Sequence, residues 1–166
     1  MMQSTFRRRQ RLSGFSMIEL ITVMIVIGIL GVTVMPRFAQ VLVFYEAGYR
    51  DKVKATLEYA RKSAVAQRRY SCVSIAGNDL SVTIDQGVPE AYLGGCPATA
   101  LALPADDGDC NPLVTNRVCA RPGVTLAGPA TLTFSPLGAP SAAAVYTVTG
   151  GAVQTITVEA ETGHVH

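Results

Sequence analysis

Between Phe15 and Met35 the chain carries a single ionisable residue, Glu19, and the next is Arg37. One helix of about 20 residues crosses a hydrocarbon core of about 30 Å, so a run of this length and character predicts a membrane-spanning helix. The chain has 166 residues, which fits one domain plus an appendage. The hundred-odd residues beyond the run are enough for a compact core of their own, though a modest one.

Charge sets the direction of the helix. Arg7, Arg8, Arg9 and Arg11 precede the apolar run with no acid among them. Basic residues beside a span favour the cytoplasmic side, which sends everything after Met35 across the membrane. The formal charge of +2 therefore includes a basic leader. Without those four arginines ten basic side chains face twelve acidic ones, a net −2, and the total charge is no argument for nucleic-acid binding. Cys72, Cys96, Cys110 and Cys119 all fall on the exported, oxidising side, where disulfides form. None makes a C-x-x-C pair, and the two histidines sit at the far end, so zinc ligation has little support. Three disulfide pairings are open. Cys72 with Cys96 and Cys110 with Cys119 is favoured because both close local loops, each worth roughly 3 kcal/mol if unstrained.

The segment Arg11-Leu12-Ser13-Gly14-Phe15-Ser16-Met17-Ile18-Glu19-Leu20 is unlike an ordinary secretory signal. Its apolar stretch is too long, and no small-residue cleavage site follows it. Gly14 instead precedes the run, so a cut there removes the arginines and leaves the anchor. Glu19 is the second anomaly. A carboxylate in a membrane helix costs roughly 2.5–3.5 kcal/mol at the centre and less near the surface, so it calls for a partner. A cut after Gly14 creates one, the new α-amino group on Phe15 of a neighbouring copy. Gly14-Phe15-Ser16-Met17-Ile18-Glu19-Leu20 resembles the type III signal of type IV prepilins and type II secretion pseudopilins. Met17 and Ile18 stand where that family often has Leu and Val. The resemblance implies cleavage by prepilin peptidase between Gly14 and Phe15, methylation of the Phe15 amine, and a role for Glu19 in assembly.

Pro36 closes the apolar run, and proline removes a helix hydrogen bond, so a kink or local loosening is expected there. Its position also resembles a proline common in pilins. Beyond it Tyr45, Tyr49, Val53, Leu57, Ala60 and Ala64 recur at helical spacing, with charged residues filling the remaining surface. This predicts helix to about Gln67 and then strand at Tyr70–Ile75. Leu80–Ile84 follows across a Gly77-Asn78 turn. Ala130–Phe134, Ala144–Thr149 and Thr155–Glu159 alternate, the last two separated by Gly150-Gly151 as in a hairpin. The stretch from Gly87 to Gly128 reads as loops held by the disulfides. The expected fold class is α+β, one long helix packed on an antiparallel sheet. The expected organisation is a leader at 1–14, a transmembrane and assembly helix at 15–36, an amphipathic helix at 37–69 and a periplasmic β-rich region at 70–166.

Leu57-Glu58-Tyr59-Ala60-Arg61-Lys62-Ser63-Ala64-Val65-Ala66-Gln67 resembles the helix segment of FimT/GspH-type minor pilins. Thr133-Phe134-Ser135-Pro136-Leu137-Gly138 resembles their strand-and-turn motif, and Ile156–His166 their terminal hairpin. The combination is most similar to the C-type minor pilins of the mannose-sensitive haemagglutinin pilus. The resemblance implies other pilin or pseudopilin subunits, prepilin peptidase, the bacterial inner membrane and an assembly platform as partners, with no cofactor. The rival reading is a DNA-uptake receptor or adhesin. Arg117 and Arg121 bracket Cys119 and would contact phosphate weakly, because Asp106, Asp107 and Asp109 lie close in sequence and histidines occupy the terminal hairpin. Asp106-Asp107-Gly108-Asp109 lacks the spacing of a calcium loop and reads as a polar turn. His164 and His166 share one strand face at a spacing a metal can bridge, and a frayed terminus explains them equally. There is no G-x-S-x-G, no H-E-x-x-H and no phosphate loop, so no enzyme is expected.

Overall fold

The computed structural model describes residues 15–110 and 114–166, and of 32–41 the backbone alone. The leader expected at 1–14 and its Gly14 lie outside the described residues. The chain divides into two compact units, Met1–Phe38 and Ala39–His166.

Helix α1 runs from Met17 to Gln67. The Ser16 carbonyl accepts the N–H groups of Glu19 and Leu20 at 3.0 and 3.2 Å, and Glu19 places a negative charge in the first turn, where the helix dipole favours it. The helical assignment continues through Pro36, and the expected kink there concerns residues whose side chains lie outside the description. The helix stops where the periodicity predicts. Arg68 takes a left-handed φ of 52°, and the N–H groups of Arg68 and Arg69 turn back to the carbonyls of Val65 and Ala64.

In the second unit Tyr49, Val53, Leu57, Ala60 and Ala64 form the buried stripe of α1. Their spacing of three and four residues puts them on one face, and that face joins the core formed with the strands. β1 (Ser71–Ala76) and β2 (Asp79–Ile84) form a hairpin, with Ala76 paired to Asp79. Gly77 supplies the positive φ of 65° that this two-residue turn needs. β3 (Arg117–Val118) pairs with β2, and β5 (Thr131–Phe134) pairs with β1. The first sheet therefore has the order β3-β2-β1-β5, all antiparallel. β4 (Thr125–Ala127), β6 (Ala144–Thr149) and β7 (Val153–Val158) form the second, in the order β4-β6-β7.

The single sheet expected from the sequence is thus two. Its missing strands, β3 and β4, come from the stretch expected to be loop. At two and three residues they are too short for alternation to register in the sequence. The Gly77-Asn78 turn bridges the two sheets: the Asn78 side-chain oxygen accepts the Leu126 N–H of β4, and its carbonyl accepts the Tyr49 hydroxyl of α1. The disulfides are Cys72–Cys96 and Cys110–Cys119, the local pairing. The first explains why Ser71, Cys72 and Val73 are all buried, against strand alternation. The helix covers one face of β1 there, and the loop carrying Cys96 is tied to the other.

Two buried tyrosines give the domain an alkaline signature. Burial pushes Tyr49 well above the usual tyrosine range, with Asp79 and Asp107 adding to it, and burial alone does the same for Tyr146. A folded value above the unfolded one means that stability is fully present below about pH 10 and is lost as pH rises further. An ultraviolet titration is therefore expected to find two of the six tyrosines ionising only as the domain unfolds. Tyr146→Phe should leave one such residue. It should also be neutral or slightly stabilising, because the Tyr146 hydroxyl is buried without a hydrogen bond among the described residues.

Candidate assembly surface

Every described side chain from Phe15 to Gly31 is exposed. Phe15, Met17 and Met24 are 81%, 86% and 67% exposed, and Ile18, Ile27 and Ile29 are all above 60%. An apolar surface of that continuity does not persist against water. It marks contact with lipid or with other protein. The residues causing it are helix formers and branched apolar side chains distributed all round the helix, so no single face is polar enough to be left in solvent.

Glu19 lies inside this surface, and its carboxylate takes part in no ion pair among the described residues. Its backbone is engaged, with the carbonyl accepting the Thr22 hydroxyl at 2.9 Å. Phe15 stands just ahead of the first helical turn. Among the described residues no helix is long and apolar enough to cross a membrane. The span expected at Phe15–Met35 runs into positions whose side chains are not described.

A second cluster lies in the domain of residues 39–166 and ties the Cys110–Cys119 loop to α1. Lys52 reaches Asp107 at 2.5 Å and Asp109 at 2.8 Å, and Asp109 also accepts Arg121 at 2.7 Å. Asp107 is almost fully buried and accepts the backbone N–H groups of Asp109 and Cys119 as well, at 3.2 and 3.0 Å. The Arg121 guanidinium lies 4.5 Å from the ring centre of Tyr45. Arg117 pairs with Asp79 at 3.7 Å. Both arginines singled out for phosphate contacts are therefore engaged by carboxylates. Asp107 and Asp109 point at lysine, arginine and amide donors, and among the described residues no cluster of three ligand-bearing side chains is arranged for a metal.

Sequence reasoning passed over Lys52 and Glu46. Glu46 is fully buried, and its Oε2 accepts the Ala152 N–H at 2.7 Å, which fixes the β6–β7 turn against the helix. Gly151 in that turn has no room for a side chain, since a Cβ would fall 2.6 Å from Val43 Cγ2. The signal for Glu46 was available: an acid at 46 falls on the buried helical stripe with Tyr49 and Val53.

No protein-family model matches the chain, and no curated protein is similar to it. Among solved structures it is similar to the type IV minor pilin FimU of Pseudomonas aeruginosa. The TM-score is 0.52 at 18% identity, over 72% of this chain and 85% of that one. A second crystal form of FimU gives 0.49 at 17% identity, covering 72% and 90%. At this identity the likeness establishes the fold: the protein is α+β with a pilin-like fold, a long N-terminal helix packed on antiparallel sheets.

Proposed function

We propose that the protein is a minor subunit of a type IV filament, held in the bacterial inner membrane by its N-terminal helix until it joins the filament through that same helix. The observation that carries this is the exposed apolar surface from Phe15 to Gly31 with Glu19 set into it, directly after the Gly14-Phe15 pair. Prepilin peptidase removes residues 1–14 on the cytoplasmic side and the Phe15 amine is methylated. Glu19 is then neutralised by the terminal amine of a neighbouring subunit, and Pro36 adapts the helix to the bundle. Residues 70–166 are periplasmic and then lie on the filament surface or tip. The pilin-like fold supports this reading. The sequence motifs resemble the FimT/GspH type of minor subunit, assembled in a mannose-sensitive haemagglutinin-type pilus or in a type II secretion pseudopilus.

The DNA-receptor reading has less support. Each phosphate contact needs a cation to spend, and Arg117 and Arg121 are already paired with Asp79 and Asp109.

Mass spectrometry of the membrane-extracted protein, made with and without prepilin peptidase, tests the proposal. The expected product begins at a methylated Phe15 when the peptidase is present and at Met1 when it is absent. A chain that stays intact at Met1 beside active peptidase, or one trimmed beyond Met35 and freely soluble, defeats the proposal.

A further inference from the structure

After β7 the chain turns back and pairs with it through a single antiparallel bridge. Val165 bridges to Val158, and Thr157 and His166 exchange both backbone hydrogen bonds, at 2.8 and 3.0 Å. The Glu159 N–H donates to the His164 carbonyl at 3.0 Å. The turn before it is fixed as well. Gly163 takes a φ of 64° and donates to the Glu159 carbonyl, while the Thr162 hydroxyl bridges Glu159 Oε2 and the His164 N–H. Val165 therefore points into the core at 3% exposure, and His164 and His166 stand side by side on the outer face. Their ring centres are 5.5 Å apart.

We propose that His164 and His166 form a two-imidazole binding site for a divalent transition-metal ion. Imidazole is a preferred ligand of Cu²⁺, Ni²⁺ and Zn²⁺. Two imidazoles on one ion, each at about 2.0–2.1 Å, place their ring centres roughly 4.5–5.5 Å apart when the angle at the metal is about 90–120°. The observed separation lies at the edge of that range without any movement of the backbone. The rings now lie nearly face to face, at 24°, so each must turn about its Cβ–Cγ bond to aim a nitrogen at a common point. Both side chains are exposed and lose little by turning. No hydrogen bond among the described residues holds their ring nitrogens. The six backbone and side-chain bonds that fix the hairpin set the spacing in advance, so the second imidazole binds an ion already delivered by the first. Among the described residues no third ligand-bearing side chain completes the site, so water fills the remaining positions. With only two imidazoles in command, affinity should follow the intrinsic order of the metals: Cu²⁺ ahead of Ni²⁺ and Zn²⁺.

Calorimetric titration of the full-length chain, carrying no added polyhistidine, with copper, nickel and zinc chlorides tests the proposal. One Cu²⁺ per chain is expected. His164→Gln and His166→Gln should each weaken binding roughly tenfold or more, since either change removes the chelate. These are the only histidines in the chain, so the imidazole NMR signals of the unaltered protein give a second readout that needs no variant. Both ring signals should broaden together at the first additions of Cu²⁺. Copper binding of unchanged strength in a double glutamine variant overturns the proposal. So do ring signals that stay sharp at saturating copper.

Discussion

Glu19→Ala is expected to leave cleavage between Gly14 and Phe15 intact and to exclude the subunit from filaments. The two outcomes separate because they depend on different surroundings. In the proposed scheme processing acts at the Gly14–Phe15 bond ahead of the helix, whereas assembly brings the helix beside others of its kind. A carboxylate in the apolar surface from Met17 to Gly31 is unfavourable in lipid by roughly 2.5–3.5 kcal/mol at the centre and less near the surface. Alanine removes that penalty, so the variant should stay in the membrane at least as firmly as the parent. What it loses, in the proposed assembly, is the attraction to a neighbouring terminal amine. Even 2–3 kcal/mol of lost pairing lowers an association constant by about 30- to 150-fold, enough to empty filaments of a subunit present in few copies. Glu19→Gln keeps the size and a hydrogen-bonding oxygen and should fall between the two. Immunodetection in sheared filaments, with processed protein measured in the membrane fraction, gives both readouts from one culture. Filaments that hold Glu19→Ala at the parental level would remove Glu19 from the mechanism.

How much of this was legible in the sequence depended on the length scale of each pattern. The helix end at Gln67 and the stripe Tyr49, Val53, Leu57, Ala60 and Ala64 were readable, because a 3.6-residue period repeated over several turns accumulates signal. The β1–β2 and β6–β7 hairpins were readable from glycine at their turns. β3 and β4 were not. Arg117-Val118 and Thr125–Ala127 become strands because β2 and β6 offer them open edges, a cause that lies about 20 to 40 residues away in the chain and leaves no local trace. With them went the division into two sheets. The same reasoning applies to Lys52. On the sequence it is one more charge on a solvated helix face, and only the return of the Cys110–Cys119 loop to α1 gives it two carboxylates. The aspartates of that loop were read as a polar turn. One of them is buried, and it organises the loop.

Asp107→Ala is accordingly expected to destabilise the domain of residues 39–166 more than any other surface-loop substitution. The Asp107 side chain is 4% exposed and accepts three hydrogen bonds, from Lys52, the Asp109 N–H and the Cys119 N–H. Alanine leaves the buried Cys119 N–H without its acceptor and frees Lys52 from one of two anchors. Breaking a buried ion pair costs about 3–5 kcal/mol, but Lys52 is 39% exposed and can turn to water, so roughly 2–3 kcal/mol is the appropriate expectation. For a domain of this size that lowers the melting midpoint by about 10 °C. Lys52→Met keeps the aliphatic stem and both amide donors to Asp107, so its loss should be smaller. The pH dependence identifies the network independently. The hydrogen bond from Lys52 holds the Asp109 carboxyl below its usual range, against burial, with Arg121 helping. A lowered folded value means that stability is present above the unfolded carboxylate range, about pH 4, and is lost as pH falls through the folded value. Burial works against the Lys52 ammonium, yet its bonds to Asp107 and Asp109 raise it above the ordinary lysine value. That contribution is complete below about pH 10 and fades above it. The midpoint should therefore be level in this network's terms from about pH 5 to 10 and fall on either side, with Asp109→Asn flattening the acid limb. An Asp107→Ala protein that melts with its parent, or an acid limb unchanged by Asp109→Asn, would mean that the disulfide alone holds the loop and the charges merely decorate it.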